Sequence, residues 1–196
     1  MTVTVCIATI PTRPKQLKQA LLSVIIQTLT PDAIVVEYDH HHTGAAATKN
    51  RALAKVSTDF VAFLDDDDQF MPSHLASLMR AQIINKASVV YSRPFIPQIV
   101  NHEDPSGRHG LPFSADELRK RSYIQTTSLI RTDLFQEVGG FQCPPHSDYD
   151  DWGGYLALLN ADAKFYHLNE QTFIWNHWGA GTPDRPGNTS GRGDRW

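Results

Sequence analysis

An α/β fold with a mostly parallel central sheet, layered between helices, is the architecture this sequence predicts. Three observations point to it. Short apolar runs rich in β-branched residues alternate with stretches of helical periodicity through the first half of the chain. The 196 residues are 41% hydrophobic and 20% charged, which supplies one sizeable core of ordinary composition. Acidic residues cluster where the apolar runs stop, at the carboxyl ends of the expected strands, and that is where open α/β sheets bind ligands.

In chain order, residues 2–9 alternate and read as a strand, broken by Pro11 and Pro14. Pro14 suits the first position of a helix. Leu17, Ala20, Leu21, Val24 and Ile25 then recur at helical spacing over 15–27. A short buried strand is expected at 33–38 and an alanine-rich helix at 45–55, with Gly44 before it. Residues 59–64 form a third apolar strand that runs directly into Asp65, Asp66, Asp67 and Asp68. Pro72 opens a helix reaching about residue 85, and 87–91 reads as a fourth strand. Residues 93–113, rich in proline, glycine and polar types, read as a long loop or lid. Beyond it we expect a strand at 124–131, a turn at Gly139 and Gly140, a helix at 149–160, and strands at 164–168 and 172–176. Residues 179–196 have the composition of a disordered tail. We expect them to be held against the body or a second subunit of a homo-oligomer.

Composition excludes several classes. A net charge of -3 offers no broad basic face, which argues against a dedicated DNA-binding module. Arg185, Arg192 and Arg195 in the tail are partly offset by Asp184 and Asp194. Cys6 and Cys143 match no metal-ligand spacing and are expected to be free thiols in a reducing compartment. No basic segment precedes an apolar stretch at the N-terminus. The longest apolar run, near residues 20–29, is interrupted by Ser23 and Gln27 and is too short to cross a bilayer. The expectation is a soluble, cytoplasmic protein without a membrane span.

The four consecutive aspartates carry the strongest chemical signal. Two carboxylates about 4 Å apart repel by roughly 4 kcal/mol at an effective dielectric near 20. A solvated acidic turn tolerates that crowding, and so does a bound cation. The run's position after a buried strand favours the cation, and oxygen ligands suit Mg²⁺ or Mn²⁺.

At these residues the chain resembles the family 2 glycosyltransferases, the inverting group with the GT-A fold. That fold is a Rossmann-like three-layer α/β/α arrangement. VTVCIATIPTRP is similar to the family's opening strand and turn, and GAAATKNRALAKVSTDFVAFLDDDDQFMP to its helix, strand and Asp-x-Asp motif. EVGGF, DDWGGYLALLNADAKF and WNHW are similar to the turn before the acceptor site, the acidic catalytic helix and the closing histidine. The resemblance covers roughly residues 2–178. It implies a single catalytic domain over 1–178, with a nucleotide-sugar half (1–95) and an acceptor half (96–178).

Carried onto this chain, the resemblance implies that Asp67 binds the cation and that Asp65 meets the donor ribose or shares the metal. Thr9, Ile10, Asp39, Lys49, Asn50 and Asp66 would line the donor. Asp150 and Asp151 match the acidic pair, with Asp151 the general base; acids favoured by a helix N-terminus are the competing reading. His177 would complete the metal or phosphate site, or be structural among its aromatic neighbours. Lys49 would meet phosphate, or be a surface lysine. Where relatives carry Asp-Asp-Gly-Ser, this chain has Glu37, Tyr38, Asp39 and His40. Either Glu37 or Asp39 then contacts the base, with Asp39 preferred by position. His40, His41 and His42 lack metal-site spacing and read as an exposed loop.

The implied activity is a metal-dependent, inverting transfer from a nucleoside-diphosphate sugar. The acceptor is left open among a glycan, a small molecule, a protein and a modified nucleic-acid base. A sugar nucleotidyltransferase would share the sheet but needs a glycine-rich phosphate loop, and Ala8-Thr9-Ile10-Pro11 has no glycine. A non-catalytic nucleotide-sugar-binding module is opposed by the presence together of Asp65, Asp67, Asp151 and His177.

Overall fold

The structure, a computed structural model, describes residues 1–97, 101–103, 107, 109–144 and 149–176. Its strands are β1 (Val3–Thr9), β2 (Ala33–Tyr38), β3 (Phe60–Asp65), β4 (Gln69–Phe70), β5 (Val89–Phe95), β6 (Leu129–Arg131) and β7 (Phe165–Ile174). Its helices are α1 (Pro14–Ile25), α2 (Ala45–Leu53), α3 (His74–Asn85), α4 (Ala115–Lys120), α5 (Thr132–Glu137) and α6 (Asp150–Asn160). The strands form one sheet in the order β2-β1-β3-β6-β5-β7-β4. β1 pairs in parallel with β2 and β3, and β5 with β7, whereas β6 and β4 run against their neighbours. Five strands therefore share a direction, as the alternation of patterns predicts.

Strand periodicity divides the core between the two faces. Val3, Val5 and Ile7 of β1 pack with Leu17, Ala20 and Val24 of α1 and with Leu75 and Leu78 of α3. Cys6 points to the other face, among Ala52 and Leu53 of α2, Phe135 of α5 and Tyr155 and Leu158 of α6. The helices start where local chemistry allows it. Pro14 occupies the first turn of α1, Gly44 at φ +93° precedes α2, and Ser114 Oγ accepts the Glu117 amide at the start of α4.

Several expectations change. β2 is the sheet edge and is partly exposed along its length, not buried. The strand expected over 124–131 shrinks to Leu129–Arg131, because Thr126, Thr127 and Ser128 are spent on side-chain and turn bonds. The two strands expected at 164–168 and 172–176 are one, β7, whose pairing with β5 shifts register between Tyr91 and Arg93 and again between Arg93 and Pro94. Arg93 to Phe95, expected in the loop, extend β5. The tail at 179–196 lies outside the described residues.

Candidate active site

Three parallel strands deliver the site. Thr9 ends β1, Asp39 follows β2 and Asp65 ends β3, so all three reach the same edge of the sheet. The aspartate run then turns tightly, with the Asp68 amide donating to Asp65 O at 3.0 Å. Alternate aspartates face different surroundings. Asp66 is buried, accepting from Thr9 Oγ1 at 2.6 Å and from Arg13 Nη1 at 2.7 Å. Asp68 is buried on the other side, accepting the Asn176 amide at 2.9 Å, while Asn176 Nδ2 donates to Asp67 O at 2.6 Å. Asp65 and Asp67 keep part of their surface open.

Electrostatics in this loop are strained toward protonation. Burial, then the charges of Asp65 and Asp66, push the Asp67 carboxyl up to about 6, against a weaker pull from Arg13. Burial first, then Asp67 and Asp65, hold Asp68 well above the usual carboxylate range. Asp66 is also raised by burial, with Arg13 and Thr9 offsetting part of the effect. Arg13 Nη1 lies 3.8 Å from Asp67 Oδ2, so one buried guanidinium faces a turn that holds four carboxyl groups.

The second half of the site comes from α2 and α6. Lys49, buried in α2, places Nζ 3.1 Å from Asp65 Oδ1 and 3.6 Å from Asp150 Oδ2, and 5.2 Å from the Phe141 ring centroid. Burial alone would push its ammonium down. The carboxylates of Asp150, Asp65 and Asp151 outweigh that and hold it above the ordinary lysine range. Asp151 is partly buried at the start of α6 and keeps some surface open to solvent. Burial and the neighbouring Asp150 raise its carboxyl to about 7, against the pull of Lys49 and the Trp152 amide. Lys49 is therefore an interior cation, not a surface lysine.

Close backbone packing fixes α6 against α2. Asn50 Nδ2 donates to Phe141 O and the Phe141 amide donates to Asn50 Oδ1, both at 2.9 Å. A Cβ on Gly140, at φ +70°, would stand 2.3 Å from Asn50 Oδ1, and one on Gly153 would stand 1.8 Å from Gln142 O. The Gln142 amide in turn donates to Asp150 O at 3.1 Å. The glycines of EVGGF and DDWGG thus let two backbones meet, and that contact sets Asp150 and Asp151 beside Lys49.

Of the residues singled out in the sequence, Thr9, Lys49, Asp65, Asp66, Asp67, Asp150 and Asp151 converge. Ile10 is buried in the turn after β1. Asn50 has both ends of its amide engaged by Phe141, a mechanical task. Asp39 is buried, with Oδ1 accepting from the Thr43 amide and hydroxyl and Oδ2 from the Gly44 amide. Burial would raise its carboxyl, but those hydrogen bonds hold it below the usual range. Glu37 is paired with Arg51 of α2 and with Lys55 just beyond that helix, at the sheet edge. His177 lies outside the described residues, although Asn176 before it is bonded to the aspartate turn. Sequence reasoning missed Arg13, Asn176 and Thr126, whose Oγ1 donates to Asp65 Oδ2 at 3.3 Å. Arg13 was legible in principle, as a lone cation between two prolines in the turn after the first strand.

Comparison with known proteins accords with this geometry. The model of the family described as "Glycosyl transferase family 2" matches residues 12–141, from the turn holding Arg13 through Phe141. The chain belongs to glycosyl transferase family 2. Among curated members of the family, an uncharacterized glycosyltransferase YwdF of Bacillus subtilis is 30% identical over 155 residues, covering 74% of this chain and 54% of that protein. The pre-mycofactocin glycosyltransferase of Mycobacterium tuberculosis is 32% identical over 128 residues, covering 60% of this chain and 27% of that protein. This family 2 chain therefore spans between about a quarter and about half of the length of these relatives. Residues 1–349 of S. aureus TarS, solved in complex with UDP-GlcNAc, superpose with a TM-score of 0.74 at 15% identity, covering 100% of this chain and 62% of that one. The mannosyltransferase PcManGT of Pyrobaculum calidifontis, solved with GDP-Man and Mn²⁺, gives a TM-score of 0.66 at 14% identity, covering 91% and 58%. At these identities the two structures establish the fold, which is GT-A.

Proposed function

We propose that this family 2 chain transfers a glycosyl group from a nucleoside-diphosphate sugar to an acceptor hydroxyl, with inversion at the anomeric carbon and a requirement for Mg²⁺ or Mn²⁺. The observation that carries this reading is the joining of Asp65 to Asp150 and Asp151 through the buried Lys49. On this reading, carboxylates with donor and acceptor roles sit around one cation.

The residues fit a hard divalent cation. Asp65 and Asp67 are the open members of an acidic turn that holds more carboxylates than Arg13 can balance. Among the described residues no three His, Cys, Asp or Glu side chains form a ready cage. Two carboxylates would thus be the protein's share, with water and diphosphate oxygens supplying the rest, as Mg²⁺-type sites commonly do. When bound, such a cation stabilises the charge that develops on the departing diphosphate.

The chain's own groups would divide the remaining work. Arg13 and Thr9 hold Asp66 still, which fixes how Asp65 and Asp67 face the cleft. Asp151, raised to about 7 by burial and Asp150, is suited to take the proton from an acceptor hydroxyl near neutral pH. Lys49 keeps Asp150 compensated, so that both members of the acidic pair can stay in place. Thr126 steadies the second carboxylate oxygen of Asp65, Oδ2, while Lys49 pairs with Oδ1.

The test is a panel of UDP- and GDP-linked sugars, titrated by calorimetry with and without Mn²⁺. Asp67→Asn should abolish the Mn²⁺ dependence of nucleotide binding; unchanged dependence rejects it as a ligand. Once a substrate pair is found, Asp151→Asn should lower kcat by about 10²–10⁴-fold while nucleotide affinity is kept. The parent's kcat/KM should fall about tenfold per pH unit below about 7. A retained anomeric configuration in the product, or an Asp151→Asn enzyme within a few-fold of the parent, rejects the assignment.

A further inference from the structure

The two helical layers differ in what they show to solvent. On the layer of α1 and α3, Leu22, Ile25, Ile26, Ile83 and Ile84 are between 49% and 72% exposed, whereas the helices of the other layer, α2, α4, α5 and α6, contribute no large exposed hydrophobic side chain among the described residues. Isolated exposed aliphatics need no explanation, but five on one layer do.

Charge follows the same asymmetry. α1 carries Lys15 and Lys18, α3 carries Arg80 and is closed by Lys86, and neither helix contains an acidic residue. The opposite layer mixes signs, with Asp116, Glu117, Arg119 and Lys120 on α4 and Asp133 and Glu137 on α5. Helical spacing puts Lys15, Lys18, Leu22, Ile25 and Ile26 on one outward stripe, because the buried positions Leu17, Ala20 and Val24 define the opposite one. Arg80, Ile83 and Ile84 repeat the pattern on α3. The two helices lie in the same layer, tied where Gln27 Nε2 donates to Met71 O and the Leu75 amide donates to Gln27 Oε1. Among the described residues, the acidic partner of this set is Glu170, 3.8 Å from Arg80.

We propose that the α1–α3 face is a docking surface for an anionic lipid bilayer. Exposed aliphatic side chains interleaved with cations are what an interfacial helix presents to a headgroup layer, with the apolar groups entering and the cations meeting lipid phosphate. A second copy fits less well. A two-fold contact through this face would set the same cations of both copies around one apolar patch with no acid on either helix to answer them. No helix among the described residues is long and apolar enough to span a membrane, so the association would be peripheral.

The test uses the full chain and sedimentation with vesicles of phosphatidylcholine alone or with roughly 30% phosphatidylglycerol. Partitioning onto the anionic vesicles should exceed that onto the neutral ones by at least about tenfold, and should collapse between about 50 mM and about 500 mM salt. Ile25→Asp and Lys18→Glu, both at exposed positions, should each lower partitioning about fivefold or more while melting with the parent. Arg119→Ala on α4 should change nothing. If Ile25→Asp fails to fold, Lys18→Glu and Leu22→Ser carry the comparison. Equal binding to neutral vesicles, no binding to either, or equal loss from Arg119→Ala overturns the proposal. So does a parent dimer that Ile25→Asp converts to a monomer without any vesicle binding, which would assign the face to a second copy.

Discussion

Replacing Lys49 with methionine keeps most of the side-chain volume and removes one buried cation. In the parent, Nζ is 3.1 Å from Asp65 and 3.6 Å from Asp150, and the side chains of Lys49 and Asp150 are 6% and 9% exposed. At an effective dielectric near 20 a pair at such a distance attracts by about 5 kcal/mol before desolvation is subtracted. The Asp65 arm is screened, since that carboxylate is 39% exposed, so the Asp150 arm dominates. Removing one member of a buried pair typically costs about 3–5 kcal/mol, because the orphaned charge stays buried. For a chain of this size, Lys49→Met should lower Tm by about 6–20 °C at pH 8. Its pH dependence carries the diagnosis. Asp151 is already raised to about 7 in the parent, and losing Lys49 raises it further. A carboxyl whose folded pKa lies above its unfolded one stabilises most at low pH, and that contribution is lost as pH rises through the folded value. The deficit of Lys49→Met should therefore be largest above pH 7 and shrink toward pH 5. Adding Asp150→Asn should recover at least about 2 kcal/mol, and Lys49→Arg should cost less than half as much as the methionine. Thermal melts at pH 5 and pH 8 are sufficient. A Tm within about 2 °C of the parent at pH 8, or a deficit that does not shrink on acidification, refutes the view of Lys49 as the counter-ion of this cleft.

Two further outcomes follow from the packing. Gly153→Ala drives a Cβ to 1.8 Å from Gln142 O, a backbone atom that cannot step aside alone. It should cost at least about 1–3 kcal/mol, read by urea unfolding, and disturb Asp150 and Asp151. His74 is fully buried, with Thr127 O and Thr172 Oγ1 on its two nitrogens, and burial pushes it down to about 3. Its neutral form stabilises the fold above about pH 6.5, and that contribution falls by about 2 kcal/mol between pH 6.5 and 5. His74→Gln should lack that part of the slope; identical slopes in the two proteins would show that His74 does not titrate with folding.

The elements that were legible in sequence are those long enough to show a period. α1, α3 and α6 each run eleven or twelve residues, β1 is rich in β-branched residues and β3 is an apolar run with two phenylalanines. β4 has two residues and α4 and α5 have six each, too few for either period to register. Thr126, Thr127 and Ser128 look like a strand by composition, but their hydroxyls and carbonyls are committed to Asp65, His74 and Tyr155 instead of to a ladder. At the site, the motifs singled out Asp65, Asp67, Lys49 and Asp151, and the fold brings these four to one edge of the sheet. What they could not carry is the charge balance, which depends on Arg13 folding back across the turn. They also could not reveal that Asp39 and Asn50 would be consumed by backbone groups.

Lys49 and Asn50 show how the cleft is kept together. Neighbours on an α-helix project about 100° apart, so two adjacent residues of α2 can serve two different partners. Lys49 reaches across to Asp65 and Asp150, which repel each other and need a cation between them. Asn50 reaches instead to Phe141 with a two-way amide contact that does not depend on charge or pH. The first interaction alone would draw α6 inward only while its acids were ionised. The second alone would hold the chain before α6 without compensating the acids that α6 brings. Together they hold the start of α6 by one contact that depends on charge and one that does not, so the mechanical support of the helix is separate from the compensation of its acids.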